Sequence, residues 1–376
     1  MYRKRIKKRI KLNHLLRKLH VPPKKRVGLL KLGIPQQTVK YNEALAKLNA
    51  ISPFPTGTSV GTHTFKAEKF DLAIIVVTYN NQDYIDKCIS SLVEQQTKYT
   101  FSIIVVNDGS TDHTATMLAN WAKRFSNIQV INCPHGGVAR ARNIGLNASN
   151  ARYISFVDAD DYVEKDYVES LMNPASEYKA DIVEGSYQTI NKDEKFIDKS
   201  DLHASAFQDL YGYPWGKVYR RSLFKNVKFP EGFWFEDTVG MYRVWPNTGK
   251  IITISDIIYN YRINDNGITR SAFSSPKALD SLYITIRLLE DCRNIGMSFS
   301  NELYTFTLQQ IVTNYIRIHS FKNEDLVAVF SIMARLIDDY FPASQFTCLD
   351  ADSLIIEKAL RTKDYPLFIA ASITKQ

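Results

Sequence analysis

Leu72-Ala73-Ile74-Ile75-Val76-Val77 runs directly into Thr78-Tyr79-Asn80-Asn81, and this order, a short apolar run and then a polar turn, recurs three times before residue 171. Ile103 to Val106 precedes Asn107-Asp108-Gly109-Ser110. Ile128 to Ile131 precedes Pro134-His135-Gly136-Gly137, and Tyr153 to Val157 precedes Asp158-Ala159-Asp160-Asp161. The runs are β-branched and nearly continuous, as strands buried on both faces are. Between the first two, Ile85, Cys88, Ile89, Leu92 and Val93 fall at helical spacing. Between the next two, Thr111 or Asp112 is placed to cap a helix that buries Ala115, Leu118, Ala119, Ala122 and Phe125. Strands alternating with helices this closely predict a parallel α/β sheet with right-handed crossovers. Ligands of such sheets bind beyond the carboxyl ends of the strands, so the four turns fall on one working edge.

A chain of 376 residues with 45% hydrophobic content supports one large domain with appendages, or two domains. The formal net charge of +9 is local: residues 1–40 hold fourteen Lys and Arg and no acid, which leaves the remainder net negative. That distribution argues against nucleic acid as a partner of the central region. Cys88, Cys133, Cys292 and Cys348 are too dispersed for a zinc site or a disulfide framework and fit a reduced, cytoplasmic setting. No run of about eighteen apolar residues is long enough to span a membrane, and the N-terminus lacks the apolar stretch of a secretory signal.

Three regions follow from the pattern: a basic extension and linker at 1–68, the α/β region at 69–272, and a helical region at 273–376. Residues 1–27 plot as a cationic amphipathic segment, suited to an anionic membrane face, to packing on the body or another subunit, or to a solvated tail. The helical region holds amphipathic stretches at Leu279–Ile295, Glu302–His319 and Glu324–Tyr340. These suit a brace for the core, an interface between copies in a homo-oligomer, or acceptor contacts.

The chemistry gathers in the turns. Asp158, Asp160 and Asp161 follow a strand, and helix capping needs only one acid. The others suit a hard divalent cation such as Mg²⁺ or Mn²⁺, which takes one or two carboxylates together with substrate phosphates. Asp108 suits a ring N–H of a base, and Tyr79, beside Thr78 and Asn80, suits its flat face. Gly136-Gly137 opens a helix carrying Arg140 and Arg142, an arrangement suited to a diphosphate. The two arginines cannot share a face, and Arg142 is the favoured one. Glu236-Asp237 interrupts the aromatic run Phe233-Trp234-Phe235, where a carboxylate can act as a general base or cap a helix.

The ordered set Val-Val-Thr-Tyr-Asn, Val-Asn-Asp-Gly-Ser-Thr-Asp, Gly-Gly-Val-Ala-Arg-Ala-Arg-Asn-Ile-Gly and Phe-Val-Asp-Ala-Asp-Asp resembles glycosyltransferase family 2, of the GT-A fold, over about residues 70–270. Pro214-Trp215-Gly216-Lys217-Val218-Tyr219 and Phe235-Glu236-Asp237 resemble its bacterial polysaccharide and glycoprotein branches. The resemblance implies a nucleotide-sugar donor, most often a UDP-sugar, and transfer with inversion to a glycan, lipid-linked or glycoprotein acceptor. It implies that Thr78, Tyr79 and Asp108 hold the base, with Asn80 in the same turn. Asp158 would hold the ribose or donor sugar, and Asp160 the metal on the diphosphate, with Asp158 beside it. Asp237 would be the base, next to Glu236. Arg262 and Arg270, in a loop that often closes over the donor, would contact phosphate, and Lys217 would line the donor or acceptor site. The basic leader and the C-terminal helices lie outside the shared region. Two other readings stand beside this one. A sugar nucleotidyltransferase calls for a glycine-rich, basic first turn, which 78–81 lacks; an inactive scaffold is disfavoured by the intact acids.

Overall fold

The computed structural model describes residues 2–200, 210–264, 267 and 275–375. Three helices open the chain: α1 (Tyr2–Lys18), α2 (Pro23–Lys31) and α3 (Tyr41–Ile51). The α/β region follows as β1 (Phe70–Thr78), α4 (Ile85–Val93), β2 (Phe101–Asn107), α5 (Thr114–Arg124), β3 (Ile128–Asn132), α6 (Val138–Ala148), β4 (Ala151–Asp158), β5 (Tyr162–Val163) and α7 (Tyr167–Glu177). It continues with β6 (Ile182–Ile190), β7 (Phe196–Lys199), β8 (Lys217–Arg220) and β9 (Ile251–Arg262). Five helices close the chain: α8 (Asp280–Asn294), α9 (Asn301–Ile318), α10 (Asn323–Tyr340), α11 (Leu354–Arg361) and α12 (Tyr365–Thr374).

Two compact units result, one of Met1–Pro55 with Ile268–Gln376 and one of Thr56–Gly267. The region read from sequence as an extension at 1–68 is therefore divided. Ile6, Val27, Leu30, Ala44 and Leu48 are buried. In the helical unit α3 packs on α10, while α1 and α2 pack on α12. Asn13 fixes this arrangement, donating from Nδ2 to the Ile373 carbonyl at 3.0 Å and accepting from Arg26 at 2.8 Å. No helix among the described residues is long and apolar enough to cross a membrane.

In the α/β unit the described strands form one mixed sheet in the order β3-β2-β1-β4-β8-β6-β9-β5, with β7 beside β6. β1 to β4 are parallel, as the sequence predicts, and their register aligns the working edge: Thr78 pairs with Asn107, Asn107 with Asn132 and Val77 with Asp158. Leu72, Ile74, Val76, Ile103 and Val105 are fully buried and pack with Ile85, Ile89 and Leu92 of α4. Each such side chain contributes about 1.5–3 kcal/mol relative to exposure. β8 runs antiparallel to both β4 and β6, so the strand direction reverses beside β4. That places the acidic turn after β4 next to the second half of the sheet. The residue directly before α5 is His113, not the expected Thr111 or Asp112; Asp112 stands one residue earlier, its Oδ1 accepting from the Thr114 amide at 3.0 Å.

Candidate active site

The Asp158-Ala159-Asp160-Asp161 turn divides its labour. Asp161 is buried and used internally: Oδ1 accepts from the Arg262 amide at 2.7 Å and Oδ2 from the Tyr259 hydroxyl at 2.7 Å. Burial, with Asp160 and Asp158 nearby, pushes its pKa well above the usual carboxylate range. Asp158 and Asp160 are only partly buried. Asp158 uses Oδ1 to accept from Arg142 at 3.1 Å, and Asp160 uses Oδ2 to accept from Asn264 at 3.2 Å. Each keeps one oxygen outside these side-chain bonds. Burial and the neighbouring Asp158 raise the pKa of Asp160. No group of three His, Cys, Asp or Glu assembles for a metal among the described residues. Two partly committed carboxylates nevertheless fit a cation that takes its remaining ligands from a phosphate-bearing substrate and water.

The Gly136-Gly137 turn differs from expectation. Its two amides donate to Asp108, at 2.9 Å to Oδ1 and 2.8 Å to Oδ2. An internal carboxylate thus occupies the donors that the sequence offers to a diphosphate. Gly109 is required here twice over: its φ is +76°, and a Cβ would lie 2.6 Å from the His135 nitrogen. Asp108, 2% exposed, organises this turn, and it also holds His135, whose Nδ1 lies 2.9 Å from Oδ2. The half-exposed His135 ring packs on Tyr79 with centroids 4.3 Å apart. The sequence assigned His135 no role, although it stands in the turn after the third strand. Thr78 is buried at the end of β1. Asn80 ties two turns together: its amide donates to Ser110 Oγ at 3.0 Å and its Oδ1 accepts from the Thr111 amide at 2.8 Å. Its φ of +52° suits an asparagine better than most residues.

Three cations read as phosphate contacts or site-lining groups are committed elsewhere. Lys217, 1% exposed, pairs with Glu184 at 2.6 Å and donates to the Tyr213 carbonyl at 2.8 Å, so it braces β6 against β8 and does not line a donor site. Arg262 donates from Nε to the Asp160 carbonyl at 2.9 Å, from Nη1 to the Lys192 carbonyl at 3.1 Å and from Nη2 to Glu194 at 3.0 Å. That set fastens the acidic turn to the β6–β7 connection and leaves the guanidinium 4% exposed. Arg142 is likewise buried, donating to Asp158 and to Glu236. Its charge is answered within the protein, and it couples two turns far apart in sequence. Arg270 lies outside the described residues.

Glu236 and Asp237 occupy one turn of 3₁₀ helix, Glu236–Thr238. It follows Phe235, which is held left-handed at φ 62°, a costly conformation for an aromatic residue and one that clusters at functional sites. Burial pushes the Glu236 carboxyl up, against the downward pull of Arg142. Asp237 is half-buried and borders a small cavity with Tyr213, Tyr219, Phe229 and Trp245. Through Arg142, the turn bearing Asp237 is joined to the acidic turn after β4.

This combination of sheet edge and motif order has a counterpart among known proteins, since residues 73–242 match the family described as glycosyl transferase family 2. The α/β unit belongs to that family. The chain is 33% identical over 219 residues to the glycosyltransferase GlyA of Streptococcus pneumoniae, covering 53% of this chain and 31% of that protein. It is 27% identical over 250 residues to GlyG of the same organism, covering 61% of this chain and 83% of the relative. The chain thus spans about a third of the length of the first of these relatives. A crystal structure of residues 1–349 of Staphylococcus aureus TarS in complex with UDP-GlcNAc is similar in fold, with a TM-score of 0.62 at 20% identity, covering 80% of this chain and 90% of that one. The family-2 domain accordingly has the mixed α/β GT-A architecture, flanked by helices.

Proposed function

We propose that this chain transfers a sugar, with inversion, from a UDP-sugar to a hydroxyl of a bacterial surface glycan or glycoprotein, on the cytoplasmic side where such donors are made. The observation that carries this reading is Arg142, which joins the Asp158 turn and the Glu236-Asp237 turn in one site at the carboxyl end of β4. Relatives of similar sequence include poly(ribitol-phosphate) beta-N-acetylglucosaminyltransferase TarS, 26% identical over 230 residues. That relative supports a UDP-sugar donor and a cell-surface acceptor.

In this reading Tyr79 and His135 receive the flat base, and Asp158 and Asp160 hold Mn²⁺ or Mg²⁺. When bound, the cation supplies positive charge toward the diphosphate as it leaves. Asp237 takes the proton from the acceptor hydroxyl, whose oxygen forms the new bond to the anomeric carbon opposite the departing diphosphate. The bond from that carbon to the diphosphate breaks, and configuration inverts in a single displacement. Arg142 is a positioning residue, fixing Asp158 relative to the turn that bears Asp237.

Calorimetric titration with a panel of UDP-sugars, in Mn²⁺ and again in chelator, tests the donor and the metal together. Metal-dependent binding of one sugar is expected, weakened at least about tenfold in Asp160→Asn, since one of at most two protein ligands is lost. Absence of binding across the panel favours a scaffold. Tyr79→Ala is expected to weaken UDP binding about tenfold, the scale of one lost aromatic–base stack, with no change in thermal stability because the ring is 44% exposed. Unchanged UDP affinity in that variant moves the base elsewhere.

A further inference from the structure

The first helix, α1, carries a surface unrelated to the transfer site. In α1, Ile6 and Asn13 face inward. Arg9 reaches the end of α2, donating to the Leu30 carbonyl at 2.9 Å and the Leu32 carbonyl at 2.6 Å. The opposite face is exposed and carries Leu12 and Leu15 interleaved with Lys7, Lys8, Lys11 and Lys18, and exposed Leu19 follows directly after the helix. At 100° per residue the six helical side chains occupy one continuous arc. Leu15 and Leu19 are 53% and 63% exposed, and Leu29 of α2 and Leu32, just past its end, add two further exposed leucines. None of the four lysines has an ion-pair partner among the described residues, whereas Lys31 of α2 pairs with Asp364 at 2.6 Å.

Both halves of this face carry information. Unpartnered lysines in a stretch of fourteen basic and no acidic residues call for an anionic partner. Leucines held out in solvent call for one that also accepts hydrocarbon. A nucleic-acid backbone answers only the charge. A second copy of the same face answers only the leucines, because it sets lysine against lysine. We infer that α1 is a docking face for an anionic lipid bilayer, its lysines meeting headgroups and Leu12, Leu15 and Leu19 entering the acyl boundary. The inner face of the helix is fixed to the folded unit through Asn13 and Arg9, so the surface is ordered before it meets lipid. This placement is independent of the transfer chemistry.

The test is co-sedimentation of the full chain with vesicles of phosphatidylcholine alone and of phosphatidylcholine with phosphatidylglycerol, at low and high salt. Binding is expected only to the anionic vesicles and only at low salt. Replacing Lys7, Lys8, Lys11 and Lys18 together by Glu is expected to reduce partitioning about tenfold or more. The combination Leu12→Ser, Leu15→Ser and Leu19→Ser is expected to reduce it severalfold while circular dichroism is unchanged, as the replaced groups are exposed. The inference is overturned if the wild-type chain stays in the supernatant, if the lysine variant pellets like the wild type, or if vesicles fail to compete with duplex DNA for the chain. Donor titration of the same lysine variant separates the two readings: retained UDP-sugar binding with lost vesicle binding upholds both. Lost vesicle binding in a variant whose circular dichroism has collapsed transfers the decision to the leucine set, where unchanged partitioning overturns the inference.

Discussion

Asp237→Asn is expected to lower kcat by roughly 10²–10⁴-fold while the donor KM and the melting temperature stay near their wild-type values. The substitution preserves shape and hydrogen-bonding capacity but removes the ability to take a proton. Asp237 is half-buried, so a local isosteric change does not open a cavity. Glu236 is the competitor for the role, and the structure separates the two acids. Glu236 is 5% exposed and pairs with Arg142, which leaves it poorly placed to meet an acceptor. Glu236→Gln should therefore lower the melting temperature as well as the rate, because it breaks a buried ion pair. Steady-state kinetics at saturating donor, with thermal unfolding of both variants, decides between them. Full turnover in Asp237→Asn would move the proton acceptor to Glu236.

What the sequence discloses depends on the range of the interaction that encodes it. β1 to β4 are legible because strands buried on both faces leave continuous apolar runs, and each polar turn immediately follows its own strand. The helices at 280–340 are legible for the same local reason, one apolar face at helical spacing. Tyr365–Thr374 passes unnoticed, since Phe368, Ile369, Ala370, Ala371 and Ile373 are all buried and the helix has no polar face to set a period. The fate of a cation is not a local property. Lys217 and Glu184, Arg262 and Glu194, and Arg142 and Glu236 pair across 33, 68 and 94 positions, and nothing beside each cation in sequence distinguishes an internal partner from a phosphate. The same holds for Asp108, whose partners are backbone amides 28 and 29 residues ahead. Residue type and turn position thus mark the edge of the candidate site. Only the fold separates acids that keep an oxygen outside internal side-chain bonds from charges consumed in holding the turns.

Arg142 makes that distinction measurable. If it contacted the diphosphate, Arg142→Met would weaken donor binding and leave the apoprotein as stable as before. The structure predicts the reverse emphasis. Removing the guanidinium leaves Glu236 buried without its cation and Asp158 without the bond to its Oδ1, and breaking a buried pair from one side costs about 3–5 kcal/mol. For a unit of this size that lowers the melting temperature by roughly 6–20 °C. Arg142→Lys should recover only part of the loss, because a single ammonium cannot present the planar fork that spans two carboxylates. The double variant Arg142→Met with Glu236→Gln should regain much of the stability, since neither charge remains to be buried alone, yet stay inactive because the Asp158 and Asp237 turns are no longer linked. Thermal unfolding of the three variants without donor, set against their UDP-sugar affinities, tests this directly. Wild-type melting temperatures combined with lost donor affinity would return Arg142 to the diphosphate and remove the link on which the arrangement of the site depends.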